Sequence, residues 1–357
     1  MSILNNDAKL HLPSKVDILV LGSGSAGMTA ALTSTLIGLD VLVVEKTNKI
    51  GGTTAYSAGS IWAPNSRHNK NIGDSFESAL KYLRNSIGNK MDEEKIESFL
   101  HFAPRMVDFL EEKSYVKLRA YSYHPDYLSN LEGATLSGRV LEPIPFRGSD
   151  LKKKFVDLRA PIPEFMLFNK IMVDRNDISN LMRANKSWSS FCQSLKLFAQ
   201  YGLDRLLYNR GTRLVMGNAL VGRLYYSLLK NKVPVLLSTE ATSLKIDNDR
   251  VIGAILNYKG QHKEIKVEYG TILATGGLSN QPELRKNLMP SSLLNNSPVV
   301  NSATGDGFSL AKKLGGYLSL TPESNSFWSP ASKRSRPDGS IAVFPHFVLD
   351  RGKPGAI

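Results

Sequence analysis

Three glycines with a fixed spacing follow an apolar run near the start of the chain. Gly22, Gly24 and Gly27 form a G-x-G-x-x-G pattern directly after residues 17–21, and Glu45 ends the next apolar run. In such a turn the first glycine allows the tight bend, the second lets a diphosphate approach the backbone, and the third lets a helix pack closely on the strand. Glu45 would accept hydrogen bonds from a ribose 2′-hydroxyl, which disfavours NADP. The pattern predicts a dinucleotide site, and a glycine turn without a ligand is the alternative.

The residues between these glycines are small and would leave the backbone amides at the start of the helix accessible. Such amides carry a partial positive charge that favours phosphate groups. The predicted contacts in this region are Gly22, Ser23, Gly24, Ser25, Ala26, Gly27 and Glu45.

A second run of small residues follows Glu45 and suits a different part of a ligand. Residues 51–64 read Gly-Gly-Thr-Thr-Ala-Tyr-Ser-Ala-Gly-Ser-Ile-Trp-Ala-Pro, where an NAD-binding domain would normally enter a crossover helix. Glycines and small hydroxyl residues can lie flat against a large planar group and donate hydrogen bonds to it. An ordinary Gly/Ser loop is the alternative. The predicted contacts are Lys46, Gly51, Gly52, Thr53, Thr54, Ser57, Ala58, Gly59 and Ser60.

The elements that must position these residues follow from the apolar periodicity. Residues 17–21 predict a strand, residues 25–37 a helix that ends at Gly38, and residues 40–45 a second parallel strand. Further along, Asp74 is expected to cap a helix through residue 87. Two helical stretches are expected over residues 92–114, the second starting at Pro104.

A group of β-rich runs occupies the last part of the chain before a second glycine pair. Residues 217–230 predict a helix and residues 235–237 a strand. The runs at 241–247, 251–258 and 264–269 are separated by short turns and predict an antiparallel meander. Residues 271–277, Thr-Ile-Leu-Ala-Thr-Gly-Gly, then predict a buried strand that returns to a glycine turn, which could also be a plain strand-to-helix turn.

Six stretches in this order resemble one known family. They are residues 22–27, 51–64, 138–143 (Gly-Arg-Val-Leu-Glu-Pro), 210–215 (Arg-Gly-Thr-Arg-Leu-Val), 273–278 (Leu-Ala-Thr-Gly-Gly-Leu) and 304–307 (Thr-Gly-Asp-Gly). The chain resembles the FAD-dependent oxidoreductase 2 family, the flavoprotein group of 3-ketosteroid Δ1-dehydrogenases and soluble fumarate reductases, and is more similar to the steroid dehydrogenases. The resemblance implies FAD as cofactor. It also implies cofactor contacts at Ala241, Thr242, Ala274, Thr275, Gly276, Gly277 and Asp306.

The same resemblance implies removal of two hydrogens from adjacent carbons beside a ketone. A tyrosine would take the proton, flavin N5 would take the hydride, and an external electron acceptor would reoxidise the flavin. Tyr123, which precedes His124-Pro125, is the best match to the family's tyrosine, and Tyr121 and Tyr127 remain candidates. They lie in an irregular aromatic and proline-rich stretch, about residues 115–163, and such long stretches are commonly functional. A structural aromatic cluster is the alternative.

Composition limits the other classes of function. The net charge is +13, but the basic residues are scattered, so we expect no nucleic-acid partner, and weak association with an anionic membrane surface is left open. No apolar run is long enough to span a membrane. The six histidines lack metal-ligand spacing, so no metal is expected. A single cysteine, Cys192, and no signal core favour the cytoplasm.

We therefore expect an α/β fold. A Rossmann-like two-dinucleotide-binding FAD domain, with the meander inserted, would cover residues 1–284, and a partial α+β substrate cap would cover residues 285–357. Family members continue beyond this point, so we expect a C-terminally truncated chain that binds FAD weakly if at all. Phe327 and Trp328 stand where fumarate reductases have His-Pro-Thr, which favours a steroid-like or cyclic ketone as substrate. The alternatives are a fumarate-reductase-like enzyme and a non-catalytic flavin-binding remnant.

Overall fold

An apolar strand and the helix that follows it begin the fold. The computed structural model describes residues 12–294, 296–319, 325–326 and 329–346. Strand β1 (Lys15–Leu21) leads into helix α1 (Ser25–Leu36), and strand β2 (Val41–Val44) pairs with β1 in parallel. Gly38 has a φ of +94°, a left-handed conformation that glycine adopts without strain. The predicted strand–helix–strand unit is confirmed.

The other elements within the described residues are numbered in chain order. The helices are α2 (Phe76–Ile87), α3 (Glu93–Lys113), α4 (Arg175–Arg183), α5 (Trp188–Leu207), α6 (Met216–Lys230), α7 (Pro282–Leu288) and α8 (Asp306–Lys312). The strands are β3 (Ile61–Trp62), β4 (Leu118–Ala120), β5 (Val140–Pro143), β6 (Phe146–Arg147), β7 (Arg213–Leu214), β8 (Val235–Leu236), β9 (Thr239–Asp247), β10 (Arg250–Tyr258), β11 (Gln261–Leu273), β12 (Ala331–Ser335) and β13 (Ile341–Pro345). Short 3-10 helices span Gly52–Tyr56, Arg67–Ile72, Gly88–Lys90, Gly148–Asp157, Pro163–Phe165 and Ser291–Leu293.

The described residues divide into two compact units, each formed by several segments of the chain. Of the described residues, the first unit contains 12–56, 153–159, 224–294, 296–319 and 325–326. The second unit contains 57–152, 160–223 and 329–346. The domain boundary between residues 284 and 285 stays a prediction.

A six-stranded sheet forms the centre of the first unit. Its order is β8-β2-β1-β11-β10-β9, with parallel pairing from β8 to β11 and antiparallel pairing among β11, β10 and β9. The predicted α/β class and the predicted meander are confirmed. The run expected at 264–269 and residues 271–273 of the next run belong to one strand, which ends before residues 274–277. Leu273 is 40% exposed, so the burial expected for this strand is wrong. Gly270 continues the ladder opposite Ile18, so β11 pairs with β10 along one part and with β1 along another.

The core of the first unit explains why the glycine turns lie where they do. Leu19, Leu42, Leu256 and Ile265 are fully buried and form one cluster on the sheet. Their burial fixes the register of β1 beside β2, because a shift of one residue would turn these side chains to the other face. The carboxyl ends of β1, β2 and β11 consequently meet at one edge, directly before the two glycine turns.

The second unit combines helix pairs with small antiparallel sheets. Its sheets have the orders β3-β5-β4, β6-β7 and β12-β13, and helices α2 and α3 pack together, as do α4 and α5. Helix α3 is one continuous element with Pro104 inside it, so the two expected stretches are wrong. Proline removes one helical hydrogen bond, but buried Ala103, Val107 and Leu110 hold the helix against its neighbours.

The start of α2 also differs from the expectation. Ser75 caps this helix by accepting a hydrogen bond from the Ser78 amide (3.1 Å), so the cap expected at Asp74 is wrong. The Asp74 carboxylate instead accepts from Arg139 (2.7 Å) inside the unit. No helix in the part of the chain that the structure describes combines the length and apolarity needed to cross a bilayer.

Candidate functional site

The first glycine turn brings backbone atoms too close together for any side chain. A Cβ on Gly22 would lie 2.2 Å from the Ala274 carbonyl oxygen, and one on Gly27 would lie 2.0 Å from the Gly22 carbonyl oxygen. Gly24 is different, because the nearest atom to its Cβ would be Thr54 Oγ1 at 3.8 Å. Gly24 precedes α1 and contributes no capping side chain, so the start of that helix is open to a ligand.

Glu45 is held rigidly at the end of β2. One carboxylate oxygen accepts from the Ser23 amide (3.1 Å) and hydroxyl (2.6 Å), and the other accepts from the Thr47 amide and hydroxyl (both 2.9 Å). Both Ser23 and Glu45 are buried. The carboxylate therefore keeps one orientation beside the first turn, and these four donors occupy its four lone-pair sites. The Thr47 hydroxyl has a second acceptor in the Lys49 carbonyl (2.8 Å).

The first half of the small-residue run lies against this turn. The Gly51 amide donates to the Ser23 carbonyl (3.1 Å), while the Ser25 amide donates to Thr54 Oγ1 (3.1 Å). Thr54 also donates to the Ser25 hydroxyl (3.0 Å). The two sequence motifs therefore form one surface within the first unit.

The second glycine turn joins the same surface. Thr275 Oγ1 accepts from the Gly307 amide at the start of α8 (3.0 Å). Lys46 donates to Thr304 Oγ1 (2.6 Å) and pairs with Asp306. Three motifs far apart in the chain thus meet at one place.

These motifs enclose a cavity of about 400 Å³. Most of the predicted cofactor contacts of the first unit line it, namely Gly22, Ser23, Gly24, Ser25, Ala26, Glu45, Lys46, Gly52, Thr53, Thr54, Ala241, Ala274, Thr275, Gly276 and Asp306. The predicted contacts outside its lining are Gly27, Gly51, Thr242 and Gly277. Thr242 donates instead to the Ile255 carbonyl within the sheet (3.2 Å).

Some lining residues were not predicted from the sequence. Thr239 begins the meander, and its amide donates to the Glu45 carbonyl (2.9 Å). Val300, Ser302 and Ala303 line the cavity from an irregular loop. The loop has no spacing pattern that could have identified it, whereas Thr239 lies only two residues before the predicted contact Ala241.

A larger cavity of about 690 Å³ lies within the second unit. The predicted residues Ser57, Ala58, Gly59 and Ser60 line it, together with aromatic side chains of several elements, including Trp62, Tyr82, Tyr121, His124 and Tyr127. The Gly217 amide at the start of α6 donates to the Ser57 carbonyl (3.0 Å). This hydrogen bond fixes the second half of the small-residue run within the unit.

The three candidate tyrosines have different surroundings. Tyr121 is 8% exposed, and its hydroxyl lies 3.2 Å from that of Ser60. Tyr127 lines the cavity but is 64% exposed, and Tyr123 is 58% exposed and is not among the lining residues. Burial raises the pKa of Tyr121 above its ordinary value of 10.0, while the hydrogen bond with Ser60 and the charge of Arg175 act to lower it.

A buried arginine holds one wall of this cavity. Arg139 is fully buried and donates to Asp126 (2.8 Å) and to Asp74 (2.7 Å). Asp126 also accepts from the Trp62 indole (2.8 Å), and the Arg139 guanidinium lies 5.7 Å from the centre of the Tyr82 ring. Arg139 lies in the family stretch at residues 138–143, and no role is predicted for it from the sequence.

The carboxylates that line this cavity have cationic partners, whereas one lining arginine has no acidic partner among the described residues. The lining carboxylates Glu142 and Asp174 pair with Arg119 (2.7 Å) and Arg213 (3.3 Å). Arg175 lies with its guanidinium 4.6 Å from the centre of the Tyr121 ring and donates to the Tyr123 carbonyl. Across the described ranges no carboxylate forms an ion pair with Arg175, so the cavity has one cation without an acidic partner.

Two further expectations concern other residues. Phe327 and Trp328 lie outside the described residues. Where the structure describes the chain, no three His, Cys, Asp or Glu side chains are grouped so that they could hold a metal ion.

Comparison with known proteins gives consistent results. A family model described as an FAD binding domain matches residues 17–357. The 3-oxosteroid 1-dehydrogenase of Mycolicibacterium smegmatis is 32% identical over 351 residues, which cover 96% of this chain and 59% of that protein. The 4-oxocyclohex-2-ene-1-carboxylate 5-dehydrogenase of Sinomonas cyclohexanicum is 32% identical over 346 residues, 96% of this chain and 58% of that protein.

A solved structure also resembles this chain. The crystal structure of 3-ketosteroid delta1-dehydrogenase from Sterolibacterium denitrificans in complex with 1,4-androstadiene-3,17-dione matches with a TM-score of 0.81 at 30% identity, covering 93% of this chain and 60% of that one. The chain therefore spans about three fifths of the length of these relatives.

Proposed function

This chain belongs to the FAD binding domain family, and from that premise we propose that it is part of a dehydrogenase that oxidises a CH–CH bond beside a ring ketone. The family resemblance predicted from the motifs is confirmed, and FAD is the cofactor of the family. The observation that carries the proposal is Tyr121, a buried tyrosine that lines the large aromatic cavity.

The first cavity supports a site for the dinucleotide part of FAD. Gly24 leaves open space beside the start of α1, and this space suits a diphosphate next to the backbone amides. Glu45 would accept the ribose hydroxyl in place of the Thr47 hydroxyl, which can donate to the Lys49 carbonyl (2.8 Å) instead. The Rossmann-like arrangement and a separate substrate cap are part of this proposal.

The remainder of the small-residue run has the composition that suits a planar ring. Ser57, Ala58, Gly59 and Ser60 lie in the second unit, where they offer small side chains and hydroxyl groups. When bound, FAD supplies an acceptor for the hydride of the ketone substrate. An external electron acceptor must then remove the two electrons.

Tyr121 would take the proton from the carbon beside the ketone. Its hydroxyl contacts Ser60, which can accept or donate. The Glu142 carboxylate raises the pKa of Tyr121, and the charge of Arg175 lowers it and so favours the tyrosinate. Among the three candidate tyrosines, Tyr121 combines burial with a place in the cavity wall, so we prefer it to Tyr123. The neutral phenol predominates at pH 7, so only the small tyrosinate fraction can take the proton, and this fraction grows as the pH rises.

The wall of the second cavity supports the proposed substrate class. Trp62, Tyr82 and Tyr121 suit a flat apolar ring system, as in the substrates named for the 3-oxosteroid relatives. Arg175 favours a second candidate, a cyclic ketone that carries a carboxylate, because this cation has no acidic partner among the described residues. The name of the relative from Sinomonas cyclohexanicum contains such a compound.

Anaerobic mixing tests the proposal. The chain is loaded with FAD, and the flavin absorbance is followed after addition of a 3-oxosteroid, 4-oxocyclohexanecarboxylate or succinate. Loss of oxidised-flavin absorbance with either ketone supports the proposal, and the preferred ketone decides between the two substrate candidates. Reduction by succinate alone would show a fumarate-reductase-like enzyme. Bound FAD that responds to none of the three would show a non-catalytic remnant.

A further inference from the structure

Helix α5 buries two serines together with Leu197 and exposes most of its large apolar side chains, unlike a normal surface helix. Ser190 and Ser194 are buried against the protein, whereas Trp188, Phe191 and Leu195 are exposed. A surface helix normally turns its apolar stripe to the core. This helix therefore presents an apolar stripe to its surroundings.

The stripe is continuous along the helix. Trp188, Phe191, Leu195 and Leu206 recur at spacings that place them on one side. Trp188 is 78% exposed and Leu206 is 79% exposed, and the rings of Trp188 and Phe191 stack with centroids 5.4 Å apart. Isolated exposed apolar residues need no explanation, but a contiguous patch marks a surface that binds something.

The inward side of α5 is held by polar contacts. The Ser190 hydroxyl donates to the Asn180 side chain of α4 (3.3 Å), and Asn180 donates to Gln193 (2.7 Å). The Ser194 hydroxyl donates to the Ser190 carbonyl (2.8 Å). These bonds fix which side of the helix faces outward, so the apolar stripe is part of the folded unit.

Charge indicates what the stripe contacts. Residues 175–207, which contain both helices, carry the bases Arg175, Arg183, Lys186, Lys196 and Arg205 and the acids Asp177 and Asp204. Asp177 pairs with Arg213 (2.8 Å), and Asp204 accepts from the Thr212 amide (2.6 Å) and hydroxyl (3.0 Å). The whole chain carries +13. A second copy of this face would place the same positive charges opposite one another, which is unfavourable. An anionic lipid surface supplies both an apolar layer and the opposite charge.

We propose that the hairpin of α4 and α5 docks on an anionic lipid bilayer, with the stripe of α5 at the boundary of headgroups and acyl chains. Aromatic and leucine residues on one side with basic residues beside them are the arrangement of interfacial helices. Ile178 of α4 lines the second cavity. If the proposed function holds, this position lets an apolar ketone dissolved in the bilayer reach that cavity.

Vesicle sedimentation tests the docking without any measurement of activity. The chain is mixed with phosphatidylcholine vesicles with and without phosphatidylglycerol. We expect binding to the anionic vesicles, weaker binding at high salt, and a partition coefficient at least about tenfold lower for F191S/L195S. Phe102→Ser is the matched control, because Phe102 is exposed on α3 and lies outside the stripe.

Tryptophan fluorescence gives a second test that does not depend on the F191S/L195S variant. Bilayers that contain brominated lipid should quench the tryptophan fluorescence of the bound chain, and Trp188→Phe should remove most of that quenching. Absence of binding to anionic vesicles, or equal binding by F191S/L195S, overturns the proposal. Self-association in sedimentation velocity that F191S/L195S abolishes also overturns it, because the stripe would then bind a second copy.

Discussion

The two cavities are built in different ways. The first is lined largely by backbone and small side chains from turns with fixed spacing, such as residues 22–26 and 274–276. The second is lined by large side chains that come from separate helices, strands and loops between Ser57 and Met216. A backbone-lined site leaves a spacing pattern in the sequence, whereas a side-chain-lined site depends on which segments pack together.

The largest expected effect on stability is at Gly27, in the turn beside the backbone-lined first cavity. Gly27→Val would place a side chain where even a Cβ lies 2.0 Å from the Gly22 carbonyl oxygen. We expect the free energy of unfolding to fall by about 3 kcal/mol or more, with no flavin retained after purification. Chemical denaturation and the flavin absorbance per chain measure the two effects.

Gly24→Ala is the matched control for this variant. Its Cβ has open space, and the φ of −71° at Gly24 suits alanine, so the unfolding transition should not change. The affinity for FAD should nevertheless fall, because the methyl group projects toward the proposed diphosphate position. Wild-type FAD affinity in Gly24→Ala would contradict this placement of the diphosphate.

Spacing explains why the first cavity was predictable. The strand before Gly22, the helix after it and Glu45 at the end of β2 are all determined by local sequence, and the structure places them as expected. The loop at Val300 to Ala303 was missed, because only the fold brings it beside the first turn. Thr242 is a predicted contact that does not line this cavity, and its hydroxyl donates inside the sheet.

The second cavity was less predictable for a physical reason. Asp74 precedes a helix, and a capping role is the usual interpretation of an acid in that position. Its actual partner, Arg139, lies 65 residues away along the chain. Tyr121, Tyr123 and Tyr127 likewise lie close together in one irregular stretch of the sequence. Only packing determines which of the three is buried.

The next prediction concerns the side-chain-lined cavity. If Tyr121 takes the proton, Tyr121→Phe should lower kcat by about 10²–10⁴ while the chain still binds FAD. Tyr123→Phe is the control and should retain kcat, because Tyr123 is not part of the cavity wall. Steady-state turnover with an artificial electron acceptor measures both variants. A larger loss in Tyr123→Phe would reverse the assignment.

The pH profile gives a second measurement of the same residue. Burial raises the pKa of Tyr121 above 10.0, so its basic form increases as the pH rises through the alkaline range. We expect kcat/KM to rise with pH up to the limit of stability. Arg175→Gln removes a charge that lowers this pKa, so the rise should move to higher pH. A profile that is flat from neutral to alkaline pH would argue against tyrosine as the base.

A loss of stability is also expected when the buried Arg139 behind the second cavity is replaced. Arg139→Met would leave the carboxylates of Asp74 and Asp126 buried without their cation. The free energy of unfolding should fall by about 3–5 kcal/mol, as measured by chemical denaturation. Lys81→Met removes the exposed partner of Glu132 and should cost less than about 1 kcal/mol. Equal losses in the two variants would show that the buried cluster has no special role.

The smallest expected effect is at Glu45 in the first cavity, which depends both on sequence spacing and on side-chain packing. Glu45 lies at a position defined by spacing, but its carboxylate is oriented by donors on Ser23 and Thr47. In Glu45→Gln the side-chain amide group must face one of the two backbone N–H donors, which leaves that donor without an acceptor. We expect a stability loss of about 1–3 kcal/mol and an FAD affinity about tenfold lower, because one charged acceptor for the ribose is lost.

Glu240→Gln is the control, because it removes the same charge from an exposed side chain that lines the same cavity. If both variants weaken FAD equally, the effect of Glu45 is only that of the overall charge, and the fixed geometry of its carboxylate contributes nothing to binding.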